Sequence, residues 1–265
     1  MNNNVQHLGQ YWDSIADIYN DAVSITTKDF HYGPLVPGDS DLGLLPAQLN
    51  GARCLEIGAG AGHNSIFLAK AGASCLATDI SNKQLDHGRK IAASEKVEVE
   101  FSCIAMEELS LAKHGSFDLI HSSYAITFSL EPGKVIGNWA EMLKPGGTLI
   151  ISTGHPLFTG EWLNLDDEQG LFLTNYFQPQ PDIRYDENDE ERVRSNFHSI
   201  STMSEWFYNA GLVVERILEP EPINIDAIPK AQGTSQVPYY SNGWAEYHEQ
   251  LKSIPGLIIF KCRKL

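Results

Sequence analysis

The stretch Arg53–Ser81, RCLEIGAGAGHNSIFLAKAGASCLATDIS, decides how this chain is read. A short apolar run ends in the acid Glu56. Glycines follow at alternate positions, Gly58, Gly60 and Gly62, and then a helix-like stretch. A second short apolar run ends in another acid, Asp79. Glycine at such a turn permits unusual backbone angles and lets a ligand approach the main chain. The helix that follows aims its free amides at whatever lies above the strand ends. A carboxylate about twenty residues beyond such a loop suits a ribose diol. The pattern therefore points to a nucleotide-like ligand.

The same grammar continues outward. Apolar runs at Arg53–Ile57, Ser74–Thr78, Val99–Ile104, Phe117–His121 and Thr148–Ser152 alternate with helical stretches at His63–Ala71, Asn82–Ser94, Glu107–Lys113 and Lys134–Leu143. Alternating short strands and helices predict βαβ units and a mostly parallel sheet with helices on both faces. A polar helix is expected from Tyr11 to Val23, ahead of the Gly/Pro-punctuated loop FHYGPLVPGDSDLGLLP. After Ser152 the rhythm breaks. Residues 154–198 are rich in aromatics, acids and Pro, a length that suits a lid or binding loop. The pattern resumes with a Ser/Thr-capped helix closed at Gly211 and a strand. A last helix near Asn242–Lys252 leads to the terminal strand GLIIFKCRK. The division expected is a cap over 1–50 and a main domain over 51–265 carrying the insertion 154–198.

Composition narrows the function. Of 265 residues, 42% are hydrophobic and 10% aromatic, enough for a full core. The formal net charge of −15 repels phosphate backbones, so neither nucleic acid nor an anionic membrane is expected as partner. The four cysteines, Cys54, Cys75, Cys103 and Cys262, form no CxxC pair, so no zinc or other metal site is expected. Each lies in a strand-like run, which predicts buried free thiols and a cytoplasmic location. The polar amino terminus carries no signal-peptide core, and no apolar run is long enough for a membrane helix.

Two details separate the candidate ligands. A dinucleotide fingerprint wants glycine where this chain has His63. Glu56, immediately ahead of the loop, would repel a pyrophosphate and suits a ligand carrying an ammonium group. LEIGAGAGHNS resembles motif I of the class I S-adenosylmethionine-dependent methyltransferases, ExGxGxG. ATDIS at 77–81 resembles the family's ribose acid, FDLIHSSYAITF at 117–128 its strand four, EMLKPGGTLIIST at 141–153 its entry into strand five, and FYNAGLVVERILEP its strand six.

The resemblance implies a Rossmann-like, doubly wound α/β sheet of seven strands, mostly parallel with the last antiparallel. It implies a methyltransferase acting on O or N of a small-molecule acceptor, with S-adenosylmethionine as cofactor. Glu56, Gly58, Gly60, Gly62 and Asn64 would hold the methionine end. Asp79 would hold the ribose, with Ile80 on the adenine and Gln84 nearby. Ser122 and Tyr124 would lie beneath the sulfonium. After strand three, Ala105 stands where the family often has an acid for the adenine amino group, which leaves Met106 and Glu107 at that edge.

Acceptor residues are expected outside the sheet: Tyr11 and Tyr19 in the amino-terminal helix, His31 and Tyr32 in FHYG, and His198 in NFHSIS. As catalytic base, His155 in STGHP leads, because it follows strand five where such sheets bind ligands, and His31 is second. A nicotinamide-dependent oxidoreductase and a non-catalytic binding protein on the same fold remain alternatives. The oligomeric state is left open.

Overall fold

A computed structural model describes residues 3–165, 168–185, 188, 190–225 and 237–265. Seven strands form the central sheet: β1 (Arg53–Ile57), β2 (Ser74–Asp79), β3 (Glu100–Cys103), β4 (Phe117–Ser123), β5 (Leu143–Gly154), β6 (Leu212–Leu218) and β7 (Leu257–Lys264). Their order is β6-β7-β5-β4-β1-β2-β3. β1 to β5 are parallel, and β7 runs antiparallel between β5 and β6. This is the expected doubly wound sheet. From β1 the chain moves outward to β2 and β3, then returns to β4 on the other side. The reversal opens a crevice above the carboxyl ends of β1 and β4, where open α/β sheets bind ligands.

The main helices are α1 (Asn3–Ala22), α2 (His63–Lys70), α3 (Asn82–Glu95), α4 (Pro132–Met142) and α5 (Ile200–Asn209). Local chemistry sets their ends. The Ser81 side chain accepts from the Gln84 amide to cap α3, and Ser199 caps α5 through Thr202. Alternate residues of each inner strand serve opposite faces, which is why these strands are apolar throughout. Leu55, Ile57, Ile120 and Ile151 pack with Trp139 of α4 and Phe207 of α5. Cys54, Leu119 and Ile150 pack with Leu68 of α2 and with Phe30 and Tyr32.

Residues 30–44 thus contribute Phe30, Tyr32, Val36 and Leu44 to this core. Phe30, Tyr32, Leu35 and Leu44 are each at most 1% exposed, and a fully buried side chain of this size contributes roughly 1.5–3 kcal/mol. The part of the first fifty residues that stands over the crevice is α1.

Several elements differ from expectation. α1 starts eight residues before Tyr11, at Asn3. The helix expected at Glu107–Lys113 is a 3-10 turn, Met106–Glu108, and a short helix, Leu111–His114. Between them Leu109 is extended so that its side chain can be buried. The stretch 242–252 holds two short helices, Asn242–Ala245 and His248–Leu251. After β5 comes a 3-10 turn, Pro156–Thr159, and two hairpins, Glu161–Leu165 with Glu168–Phe172 and Asp182–Tyr185 with Glu191–Ser195. The four cysteines are free, but Cys103 is exposed because β3 is the sheet's edge strand.

Two loop glycines differ in what they tolerate. Gly58 has φ +68° and a Cβ there would sit 2.2 Å from the Cβ of Ala125. Gly60 has φ +55° but open space around it. Gly60→Ala is expected to cost about 1–2 kcal/mol from backbone strain alone. Gly58→Ala should cost about 1–3 kcal/mol more, because Ala125 must also move. Urea denaturation of both variants checks the order; equal losses would mean that Ala125 yields freely.

Candidate active site

A cavity of about 1330 Å³ occupies the crevice. Its floor is the carboxyl edge of β1, β2 and β4. One wall is α1, another the Asp182–Ser195 hairpin, and a third the segment from Tyr239 to Tyr247.

Two carboxylates face the cavity. Glu56 is 3% exposed, and its Oε2 accepts from the Ser65 amide at 2.8 Å and the Ser65 hydroxyl at 2.5 Å. Burial raises its pKa to about 7. The Ser65 bonds oppose that rise, and the charge of Asp79 adds to it. Asp79 accepts from the Gly60 amide at 2.7 Å (Oδ2) and the Ser81 amide at 2.9 Å (Oδ1). Its pKa is also raised, by burial first. The neighbouring charges that raise the two acids, Asp79 at Glu56 and Asp13 at Asp79, are themselves acidic. A cationic group entering here would relieve both carboxylates, and a phosphate would worsen their position.

The structure gathers most of the expected ligand residues. Gly58, Gly60, Ile80, Gln84, Ala105, Met106, Glu107 and Tyr124 line the cavity with the two acids. Gly62 does not; it starts α2 at φ +67° and packs beneath Phe101. Gln84 is tied through Oε1 to Asn20 of α1 at 2.8 Å. Ser122 points into the core with an unpartnered hydroxyl, and its neighbour Ser123 lines the cavity instead. Asn64 is fully buried and turned from the cavity; both ends of its amide bond the backbone of His31.

Acceptor-side expectations fare unevenly. His31 lines the cavity, 8% exposed, with Nδ1 unpartnered and the ring edge-on to Tyr239 at 5.3 Å. Burial, then the charges of His63 and His121, lowers its pKa to about 3, so it is a neutral imidazole at working pH. His155 is 1% exposed and does not line the cavity. Its Nε2 lies 2.7 Å from Glu219, and its Nδ1 accepts from the Leu157 amide at 3.1 Å. Both nitrogens thus serve the turn after β5. His198 packs on Trp206, also outside the cavity. Tyr32 is in the core, its hydroxyl bonded to Asp39 at 2.5 Å. Tyr19 lines the cavity and hydrogen-bonds the hydroxyl of Tyr239, but Tyr11 turns aside toward Arg184, 3.5 Å away.

Sequence reasoning missed Trp12, His63, Phe158, Tyr239 and Trp244, all of which line the cavity. For Trp12 there was a signal: Leu8, Trp12, Ile15 and Tyr19 recur at helical spacing and form the inner face of α1. Asp13 fixes that helix, accepting from the Ser81 hydroxyl at 2.7 Å and the Lys83 amide at 3.0 Å. Among the described residues there is no cluster that could hold a metal, and no helix long and apolar enough to cross a membrane.

Comparison with known proteins fits this geometry. Residues 55–151 match the family model of a methyltransferase domain. The ubiquinone biosynthesis O-methyltransferase of Bordetella avium (strain 197N) is 31% identical over 109 residues, 41% of this chain and 45% of that protein. The chain thus spans less than half the length of the curated relatives it matches. The structure of an S-adenosylmethionine-dependent methyltransferase from Mesorhizobium loti superposes with a TM-score of 0.65 at 22% identity, over 84% of this chain and 95% of that one. The [4+2]-cyclase SpnF superposes at 0.60 and 15% identity, over 97% and 94%. The fold is therefore that of the class I S-adenosylmethionine-dependent methyltransferases, and likeness of fold alone does not fix a reaction.

The raised Glu56 has a measurable consequence. Its pKa moves from 4.5 to about 7 on folding, so the folded chain holds the proton more tightly. Stability should fall as pH rises through that window and level off above 7. Relative to Glu56→Gln, wild type is expected to lose on the order of 3 kcal/mol between pH 4.5 and 8. Denaturant unfolding at several pH values checks this; parallel curves for the two proteins would show an ordinary Glu56.

Proposed function

We propose that the methyltransferase domain of residues 55–151 works in this chain as an S-adenosylmethionine-dependent enzyme that methylates O or N of a small-molecule acceptor. The observation that carries the reading is the pair of carboxylates, buried Glu56 and half-buried Asp79, on either side of a glycine loop that a ligand can approach. S-adenosylmethionine, when bound, supplies a methyl group already activated by its sulfonium. Glu56 would meet the ammonium group, which would favour its ionised form. Asp79 keeps its two amide bonds and would have lone pairs left for the ribose hydroxyls. Ile80, Ala105, Met106 and Glu107 would hold the adenine. An NAD pyrophosphate meets two acids in the same place.

The remaining work is alignment and exclusion of water. Trp12, Tyr19, Phe158, Tyr239 and Trp244 give the acceptor side an aromatic lining. Residues 154–198 act as a lid, contributing Phe158, Arg184, Arg194 and Phe197. His31, neutral and facing the cavity, offers a ring nitrogen as hydrogen-bond acceptor to the acceptor's hydroxyl or amine and orients it for attack. With its pKa lowered to about 3 it does not keep a proton near neutral pH, so the proton released on methyl transfer passes to solvent. The acidic surface fits a small acceptor better than a nucleic acid, and the free thiols fit the cytoplasm.

Isothermal titration tests the cofactor. S-adenosylhomocysteine should bind wild type, and Asp79→Ala should weaken it by about 1–3 kcal/mol, the loss of a charged hydrogen-bond acceptor. NAD should not bind. NAD binding without S-adenosylhomocysteine binding would favour an oxidoreductase.

A turnover screen over hydroxyl- and amine-bearing metabolites tests the chemistry. On any acceptor found, His31→Ala is expected to lower kcat about 2–10-fold, the loss of one orienting hydrogen bond of roughly 0.5–1.5 kcal/mol. His155→Ala should leave kcat near wild type, because that ring does not reach the cavity. The reverse pattern would move the acceptor contact to His155.

A further inference from the structure

We infer that Asn64 is a positioning residue for His31, and that one turn of α2 sets both sides of the reaction at once. This rests on the methyltransferase reading only in the role it gives His31. Residues 30–32 form no helix or strand, yet they are pinned throughout. Phe30 and Tyr32 are buried in the core on one side, so the residue between them turns to the other, toward the cavity. The Ser152 hydroxyl donates to the Tyr32 carbonyl. Next, Gly33 has φ +148°, and a Cβ there would lie 2.7 Å from Leu257.

Both backbone polar groups of His31 are held by one side chain, Asn64. The His31 amide donates to Asn64 Oδ1 at 2.9 Å, and the His31 carbonyl accepts from Asn64 Nδ2 at 2.9 Å. Ser123 Oγ lies 3.4 Å from both Nδ2 and that carbonyl, completing the bracket from β4. A carboxamide offers one donor and one acceptor side by side, so it pairs with a backbone as a neighbouring strand would. No other side chain of this size does so without a net charge, which would be costly at a position with no exposure.

The next residue, Ser65, holds Glu56 through its amide and hydroxyl. Consecutive residues in the first turn of α2 therefore brace the acid on the cofactor side and the backbone that carries the imidazole on the acceptor side. The distance between those groups is built into one rigid helical turn, and the glycine loop leads directly into it. Asn64 touches neither ligand on this account. It decides where His31 stands.

The experiment uses the full chain with S-adenosylhomocysteine, and long-range ¹H–¹⁵N spectra of the imidazoles from pH 5 to 8. His31→Gln assigns the His31 signals. Wild type should show His31 as one neutral tautomer that does not titrate. In Asn64→Leu the His31 signals should shift, average between tautomers or begin to titrate, while the dissociation constant of S-adenosylhomocysteine stays within about three-fold. Asn64→Ser, which also lacks the paired donor and acceptor, serves if the leucine variant does not fold. Once an acceptor is in hand, Asn64→Leu should lower kcat in wild type but add less than about two-fold in a His31→Ala background. Unchanged His31 signals, or losses that multiply in the double variant, would overturn the inference. If S-adenosylhomocysteine fails to bind wild type, the methyltransferase reading falls, and the imidazole spectra still decide whether Asn64 holds His31.

Discussion

Two carboxylates at neighbouring strand ends, Glu56 buried and Asp79 half-buried, are the constraint on which this site is built. Withdrawal from water raises both pKa values, with the charge of Asp79 adding to the rise at Glu56 and that of Asp13 to the rise at Asp79, and their neighbours only soften the conflict: Ser65 for Glu56, the amides of Gly60 and Ser81 for Asp79. Those amides are available because the loop is glycine-rich and because α2 and α3 begin there. The arrangement gives the site an affinity for positive charge. A fold seeking stability alone would place apolar residues at these positions, as it does at Leu55, Ile57 and Leu76.

The sheet and its ligand edge were legible because inner parallel strands bury both faces. Such strands read as unbroken apolar runs, and the residues that interrupt the apolar pattern at their ends, Glu56 and Asp79, stand out. The hairpins after β5 were illegible for the opposite reason. Asp182–Tyr185 and Glu191–Ser195 are mostly exposed and heavily charged, so burial leaves little alternation in their sequence. The helix expected at Glu107–Lys113 failed on one residue, since burying Leu109 outweighs local helical preference.

The histidines show where sequence reasoning about a site stops. His155 has the right position, at the exit of β5, but Glu219 and the Leu157 amide occupy its ring, and Glu219 lies 64 residues away. His31 looks weaker in sequence, within a loop before the first sheet strand. Its place depends on Asn64, 33 residues on, and on two aromatic neighbours that prove to be core. In both cases long-range partners decide whether a ring nitrogen is available, and local sequence cannot list them.

The cavity divides into a floor and walls with different physics. The floor comprises the glycine loop, the strand ends and His31, held by backbone bonds and by core packing on both faces of the sheet. The walls are α1 and the Asp182–Ser195 hairpin, attached through polar contacts near the surface: Asp13 with Ser81 and Lys83, Asn20 with Gln84, His87 with Asp17. Such contacts are individually weak and exchange readily with water. Substitutions in the walls can therefore reshape the acceptor space at small cost, whereas substitutions in the floor disturb the sheet itself. The family model of a methyltransferase domain matches residues 55–151, which hold the glycine loop and the ends of β1, β2 and β4 but not α1 or the Asp182–Ser195 hairpin. The stretch that matches the methyltransferase-domain model thus builds the glycine loop and the strand ends, and the walls are built by residues outside it.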